Sequence, residues 1–190
     1  MLDQIDWRAV CAGAQGYEDF LERYGTEDQR RRWAAVDALV HLTPAQRQVV
    51  EGFGRDMHVF CLAGAWCGDC VNQGPILRQI AAASPRVHLY FGDREADPAV
   101  RDALAINGGS RVPIAVFLSE DWQVCAVQGD RVVAFYRQMA ADRLGPSCPT
   151  GILPPGPALL AEAMEQWVTE FERVQLMLRL TGRLRERHGD

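Results

Sequence analysis

Lysine is missing from this 190-residue chain, and all 20 of its basic side chains are arginine. A lysine nucleophile or Schiff base is therefore excluded. No glycine-rich phosphate loop and no G-x-G-x-x-G run is present, so the sequence offers no cradle for a nucleotide or flavin. No stretch reaches the ~18 consecutive apolar residues of a membrane span, and no membrane partner is expected. The opening residues, Met1-Leu2-Asp3-Gln4-Ile5-Asp6-Trp7, are acidic and lack the basic and apolar regions of a secretory signal; the expected location is the cytoplasm. The net charge of −5, with no block of basic residues, argues against a nucleic-acid partner.

Cysteine is sparse and irregularly placed. Cys11, Cys61, Cys67, Cys70, Cys125 and Cys148 do not make a disulfide scaffold, and in a reducing compartment such thiols stay free. Cys125 reads as a core thiol and Cys148, between Pro146 and Pro149, as a loop thiol. Only Cys67 and Cys70 are spaced for chemistry. They match half of a zinc knuckle, but a second C-x-x-C or an H-x-x-x-H is lacking, and no metal is expected. His58 and His88 fall in expected strands as structural or half-exposed residues, while His41 and His188 have no cysteine or acid at ligand spacing.

The run Ala65-Trp66-Cys67-Gly68-Asp69-Cys70 is the informative part of the chain. Two thiols at i and i+3 of a helix share one face, within the Cα separation of roughly 4.4 to 6.8 Å that a disulfide tolerates. Cys67, at the helix start, meets unsatisfied backbone N–H groups and the positive end of the helix dipole. Its pKa should fall below the ~8.5 of a free thiol. The surrounding pattern alternates between strand and helix. His58 to Ala63 reads as a strand, Val71 to Ala83 as a helix containing Pro75, Val87 to Phe91 as a strand and Pro98 to Ile106 as a helix. Ile114 to Leu118 and Trp122 to Gln128 read as strands, and Asp130 to Arg143 as a helix.

From about Met57 to Leu144 this order resembles a thioredoxin. The residues that carry the resemblance are Trp66-Cys67-Gly68-x-Cys70, Pro75, Val112-Pro113 and Gly129; the stretches outside it do not match. The resemblance implies a thioredoxin fold, an α/β arrangement with a central mixed β-sheet flanked by helices. It implies that Cys67 attacks and Cys70 resolves, with Trp66 capping the site. Pro113 would be a cis-proline facing the pair, with the Val112 backbone and Gly129 at the substrate groove. No cofactor is implied beyond a Cys67–Cys70 disulfide. The expected partners are a disulfide-bearing protein or small thiol substrate and, by family analogy, a thioredoxin reductase. The expected activity is thiol–disulfide exchange, most naturally as a reductant. A peptide-binding or chaperone-like module with incidental thiols is the alternative.

Two positions depart from the pattern. Thioredoxins carry a buried acid six residues before the first cysteine, where this chain has Cys61. By strand alternation Cys61 shares a face with Val59 and Ala63, as a small buried residue or as a third thiol beneath the pair. Asp69 stands where thioredoxins have proline, and its carboxylate should raise the Cys67 pKa.

Residues 1–54 read as a helical extension: Tyr17 to Tyr24, Glu27 to Val40, and a helix capped by Thr43-Pro44 and reaching about Phe53. Residues 55–144 make the thioredoxin-like part. Residues 145–190 begin with five prolines in the thirteen residues from Gly145 to Pro157 and continue as one helix from about Ala158 to Arg187. Its apolar stripe, Leu160, Met164, Trp167, Phe171, Val174 and Leu178, is expected to pack on the protein's own body rather than on a second copy.

Overall fold

The computed structural model of the chain describes residues 2–144 and 155–190. Four helices precede the sheet: α1 (Trp7–Gly13), α2 (Tyr17–Tyr24), α3 (Glu27–Asp37) and α4 (Pro44–Glu51). α3 and α4 start in capping boxes, Thr26 with Gln29 and Thr43 with Gln46, which satisfy backbone donors that helix starts leave open. The sheet then begins with β1 (Met57–Ala63), followed by α5 (Gly68–Ala82), β2 (Val87–Asp93), α6 (Pro98–Ala103), β3 (Ile114–Ser119), β4 (Val124–Gly129) and α7 (Val133–Leu144). Two further helices, α8 (Pro157–Leu180) and α9 (Gly182–His188), end the chain.

The strands lie in the order β2-β1-β3-β4. β1 is parallel to β2 and antiparallel to β3, and β3 is antiparallel to β4. A parallel pair needs a crossover, which α5 supplies. All six residues of β3 and six of the seven in β1 are buried, as expected of strands covered on both faces. This is the mixed sheet flanked by helices that the resemblance implied, with the Cys67–Cys70 turn at the exit of β1.

α1, α2 and Trp33 of α3 cover the β2 side of the sheet, while α4 packs on α8. Gln15 exchanges two backbone hydrogen bonds with Phe91, at 2.9 and 2.7 Å, so part of the β2 edge is occupied by the chain itself. The Phe91 ring meets Phe20, Tyr17 and Trp33 at centroid distances of 5.4, 5.7 and 6.3 Å. α1 carried no expectation from the sequence. It is held by the Asp6 cap, which accepts from Ala9 N, and by Trp7 and Cys11, both buried.

The last helix departs from the expected continuous one. Thr181 is extended (φ −72°, ψ 118°) and separates α8 from α9; its hydroxyl donates to the Met177 carbonyl at 2.7 Å. A β-branched residue followed by Gly182 is a weak point in a helix. The stripe from Leu160 to Leu178 is buried throughout, packed against α4, α5 and α7. The segment 145–154, which contains Cys148 and most of the proline-rich stretch, lies outside the described residues.

Candidate active site

The turn after β1 places the two thiols. Cys67 N donates to the Gly64 carbonyl at 2.9 Å, so the chain folds back directly before the helix, and Cys67 is the N-cap of α5. Cys67 and Cys70 are both free thiols and approach to 3.7 Å. Cys67 is partly exposed and Cys70 is buried. The Cys67 pKa is lowered to about 7 by hydrogen bonding from the Cys70 thiol and from the backbone N–H groups of Cys70 and Asp69. Burial and the Asp69 carboxylate push the other way and lose. For Cys70 burial dominates, holding the thiol well above its ordinary value, while Gly64 N donates to its sulfur at 3.4 Å. The difference between the thiols is one of position: the first faces the helix's open donors and the second is enclosed.

The Val112–Pro113 peptide is cis, and the protonated Cys67 thiol donates to the Val112 carbonyl at 3.4 Å. Val112 and Pro113 are buried. Gly129 ends β4 opposite Ile114, with Ile106 and Ile114 filling the space where a side chain would stand, at 2.8 and 2.9 Å from an ideal Cβ. Gly129 is a close-packing position here. Gly68 is exposed, with open space around its Cα. Trp66 is half exposed and lies over Gly64; the Arg94 guanidinium stands 4.6 Å from its ring centroid, a cation–π geometry.

Asp69 opposes the Cys67 thiolate, as its place beside the cysteine leads one to expect, but its charge is answered from a distant loop. Arg131 donates to it through Nε, at 2.8 Å, and through Nη2. Paired in this fork, the carboxylate does not keep Cys67 from falling to about 7. Burial raises the pKa of Asp69 itself despite the arginine. Asp130, only 3% exposed at its side chain, accepts from Arg131 Nη1 at 3.0 Å, from Arg111 Nη1 at 3.3 Å and from the Tyr136 hydroxyl. Its pKa is lowered because these bonds outweigh burial. Arg94, Arg111, Asp130 and Arg131 were not singled out in the sequence; they lie on loops that only the folded sheet brings to Cys67.

One buried polar side chain ties these parts together. Gln73, one turn beyond Cys70, is fully buried. Its Nε2 donates to the Asp130 carbonyl at 2.9 Å and to the Asp69 carbonyl at 3.4 Å; its Oε1 accepts from Val132 N at 3.3 Å and from Trp167 Nε1 at 3.2 Å. Both donors and both acceptor positions of the amide are used. On the far side of α5, Trp33 donates to the Ala65 carbonyl at 2.9 Å. Its ring fills the notch at Gly74, where an ideal Cβ would come within 2.1 Å of it.

Cys61 is fully buried in β1 with no close polar partner, its sulfur 4.0 Å from the Leu62 carbonyl; burial, with the nearby Cys67, pushes its thiol up. Cys125 is half buried in β4 rather than a core residue. His58 sits at the opposite end of β1, stacked between Trp122 (3.8 Å) and His88 (4.9 Å), and burial lowers its pKa to about 4. Among the described residues no group of three or more His, Cys, Asp or Glu could hold a metal, and no helix is long and apolar enough to cross a membrane.

Comparison with solved structures gives fold-level likenesses. A protein of unknown function from Pseudomonas aeruginosa matches with a TM-score of 0.70 at 14% identity, over 90% of this chain and 97% of that one. An HIV epitope-scaffold matches with a TM-score of 0.65 at 14% identity, over 88% and 99%. No curated protein sequence matches significantly. The thioredoxin family model matches residues 14–142, so it takes in α2 to α4, which the sequence reading had set outside the resemblance. With that match spanning most of the chain and the dithiol turn, cis-proline and mixed sheet in family order, the chain belongs to the thioredoxin family.

Proposed function

We propose that the protein is a thiol–disulfide oxidoreductase that works as a reductant. The observation that carries this reading is the contrast between the two thiols. Cys67 is accessible, placed on the helix N-terminus and brought to about 7, whereas Cys70 is enclosed and protonated 3.7 Å away. A thiolate is the nucleophile in exchange, and attack is most efficient when its pKa lies near the ambient pH. The Cys67 thiolate attacks one sulfur of a substrate disulfide, forming a mixed disulfide and releasing the other half as a thiolate. Cys70 then attacks the Cys67 sulfur, its proton passing to the departing thiolate. The second half leaves reduced, and a Cys67–Cys70 disulfide remains. An external dithiol or a reductase of the thioredoxin reductase type returns the pair to the dithiol. Val112 and Pro113 flank the attacked sulfur, and Cys61 serves as a buried apolar residue. A cytoplasmic location suits a pair kept reduced.

Single-cysteine variants test the assignment. With Cys70→Ser, attack proceeds and resolution fails, so intact-mass spectrometry after exposure to a disulfide substrate should show a mixed disulfide that added thiol releases. Cys67→Ser should give no adduct. Adducts on Cys67→Ser but not on Cys70→Ser overturn the roles; peptide binding without any turnover by the unmutated protein would favour the binding-module reading instead.

A further inference from the structure

The cleft beside Cys67 encloses about 240 Å³, and five of the residues lining it carry charge: Arg94, Arg111, Arg131, Asp69 and Asp130. The carboxylates are spent internally. Asp130 is almost completely buried and takes hydrogen bonds from Tyr136, Arg131 and Arg111. Asp69 is gripped by both arms of Arg131, and the side chains of that pair are only 23% and 17% exposed. The arginines are placed otherwise. The Arg111 side chain is 43% exposed, with a single ion-pair contact, through Nη1. It immediately precedes Val112, whose carbonyl touches the Cys67 sulfur. Arg94 lies across the Trp66 face on the same cleft, donating to Glu95, which stands outside the lining, and through Nη1 to the Ser110 carbonyl at 3.4 Å. An arriving molecule therefore meets an exposed Arg111 guanidinium with donors to give, while Asp130 is shut away and both Asp69 oxygens accept from Arg131. Guanidinium groups match carboxylates in geometry and charge, and charge at the mouth of a cleft acts mainly by raising the rate of productive encounter.

We propose that this cleft selects anionic disulfides, those carrying a carboxylate close to the sulfur, with Arg111 as the principal specificity-determining residue and Arg94 assisting. The inference rests on the exchange activity proposed above and names its substrate class. Attack is unchanged in its balance: the Cys67 thiolate displaces a carboxylate-bearing thiolate from the disulfide, and the arginines hold that carboxylate without taking part in the bond exchange.

Three small aliphatic disulfides of similar length vary the charge, the dianion 3,3′-dithiodipropionate, neutral bis(2-hydroxyethyl) disulfide and dicationic cystamine, and each rate is divided by that of a small free thiol with the same disulfide so that leaving-group reactivity cancels. The reduced, unmutated protein is mixed with each, and loss of the Cys67 thiol is followed by quenching and mass spectrometry at pH 7. The expected order is anionic, neutral, cationic, with the anionic-to-neutral ratio about tenfold at 10 mM salt. At 1 M salt, where the screening length shrinks to about 3 Å, the ratio should approach one. Arg111→Gln should cut the low-salt ratio about fivefold, and Arg94→Gln should cut it less. Arg31→Gln, an exposed charge on α3, should leave it unchanged. A ratio near one at low salt, or one that Arg111→Gln does not lower, overturns the proposal while leaving exchange intact. Failure of all three disulfides to oxidise Cys67 would instead remove the exchange reading itself.

Discussion

Arg131 lays two arms of its guanidinium on the Asp69 carboxylate, with Nε 2.8 Å from Oδ1, across 62 positions of sequence. The negative charge nearest the attacking thiol is thus answered from the loop after β4. The pair therefore sets the Cys67 thiolate population in a direction that can be tested.

Removing either partner should move Cys67 in opposite senses. Arg131→Gln leaves the Asp69 charge unanswered and should raise the Cys67 pKa above about 7; Asp69→Asn frees a guanidinium beside the sulfur and should lower it. The pH dependence of iodoacetamide alkylation reads both, each with a several-fold change in thiolate fraction at pH 7. Shifts of the same sign in the two variants would sink the electrostatic account.

Stability of the reduced protein should depend on pH through its thiols. The folded-state pKa of Cys67 is depressed, from 9.0 to about 7, so its contribution is fully present above the unfolded value and is lost as pH falls through about 7. Cys11, pushed to about 12, together with Cys61 and Cys70, has the reverse sign. Their contribution is present below the unfolded value and fades as the unfolded chain ionises above about pH 9. Urea unfolding under reductant should show stability rising between pH 7 and 9 and falling beyond. Cys67→Ser should remove the rise and keep the fall; a rise that survives in Cys67→Ser assigns it to another group.

Gln73 should be expensive to replace. Gln73→Leu leaves the Asp130 carbonyl, Val132 N–H and Trp167 N–H without their buried partner, at about 1–3 kcal/mol for each unsatisfied group, so a loss of about 3 kcal/mol is expected. Trp167→Phe deletes one donor and keeps much of the ring's packing, and should cost about half as much. Thermal melts of the two variants compare them, and a Gln73→Leu loss below 1 kcal/mol would mean the network is not what holds the loop.

The parts of this protein that local pattern controls were legible in the sequence. Val59, Cys61 and Ala63 alternate as a strand, Thr43-Pro44 announces a helix start, and the Cys67 and Cys70 spacing fixes their common face; all are set within a few residues. The strands and the family followed from them. What stayed hidden depends on distant chain segments. Asp69 does oppose the thiolate as expected, but nothing near it in sequence reveals the Arg131 that answers its charge. Gln73 drew no notice in the sequence because its partners come from the β4–α7 loop and α8. The break at Thr181 is a matter of one residue's backbone, and α1 is too short for its periodicity to show.

The bond from Trp167 to Gln73 joins residues 94 positions apart, and this sets the order in which a ribosome can complete the protein. The dithiol turn emerges early, and the sheet that frames it can assemble while α8 is still unmade. Until the indole of Trp167 has left the exit tunnel, the Gln73 amide beneath the turn lacks one of its four partners and the face of α5 that meets α8 stays uncovered. Both cysteines therefore exist on a nascent chain before their final housing does, and synthesis of α8 is the step that closes it.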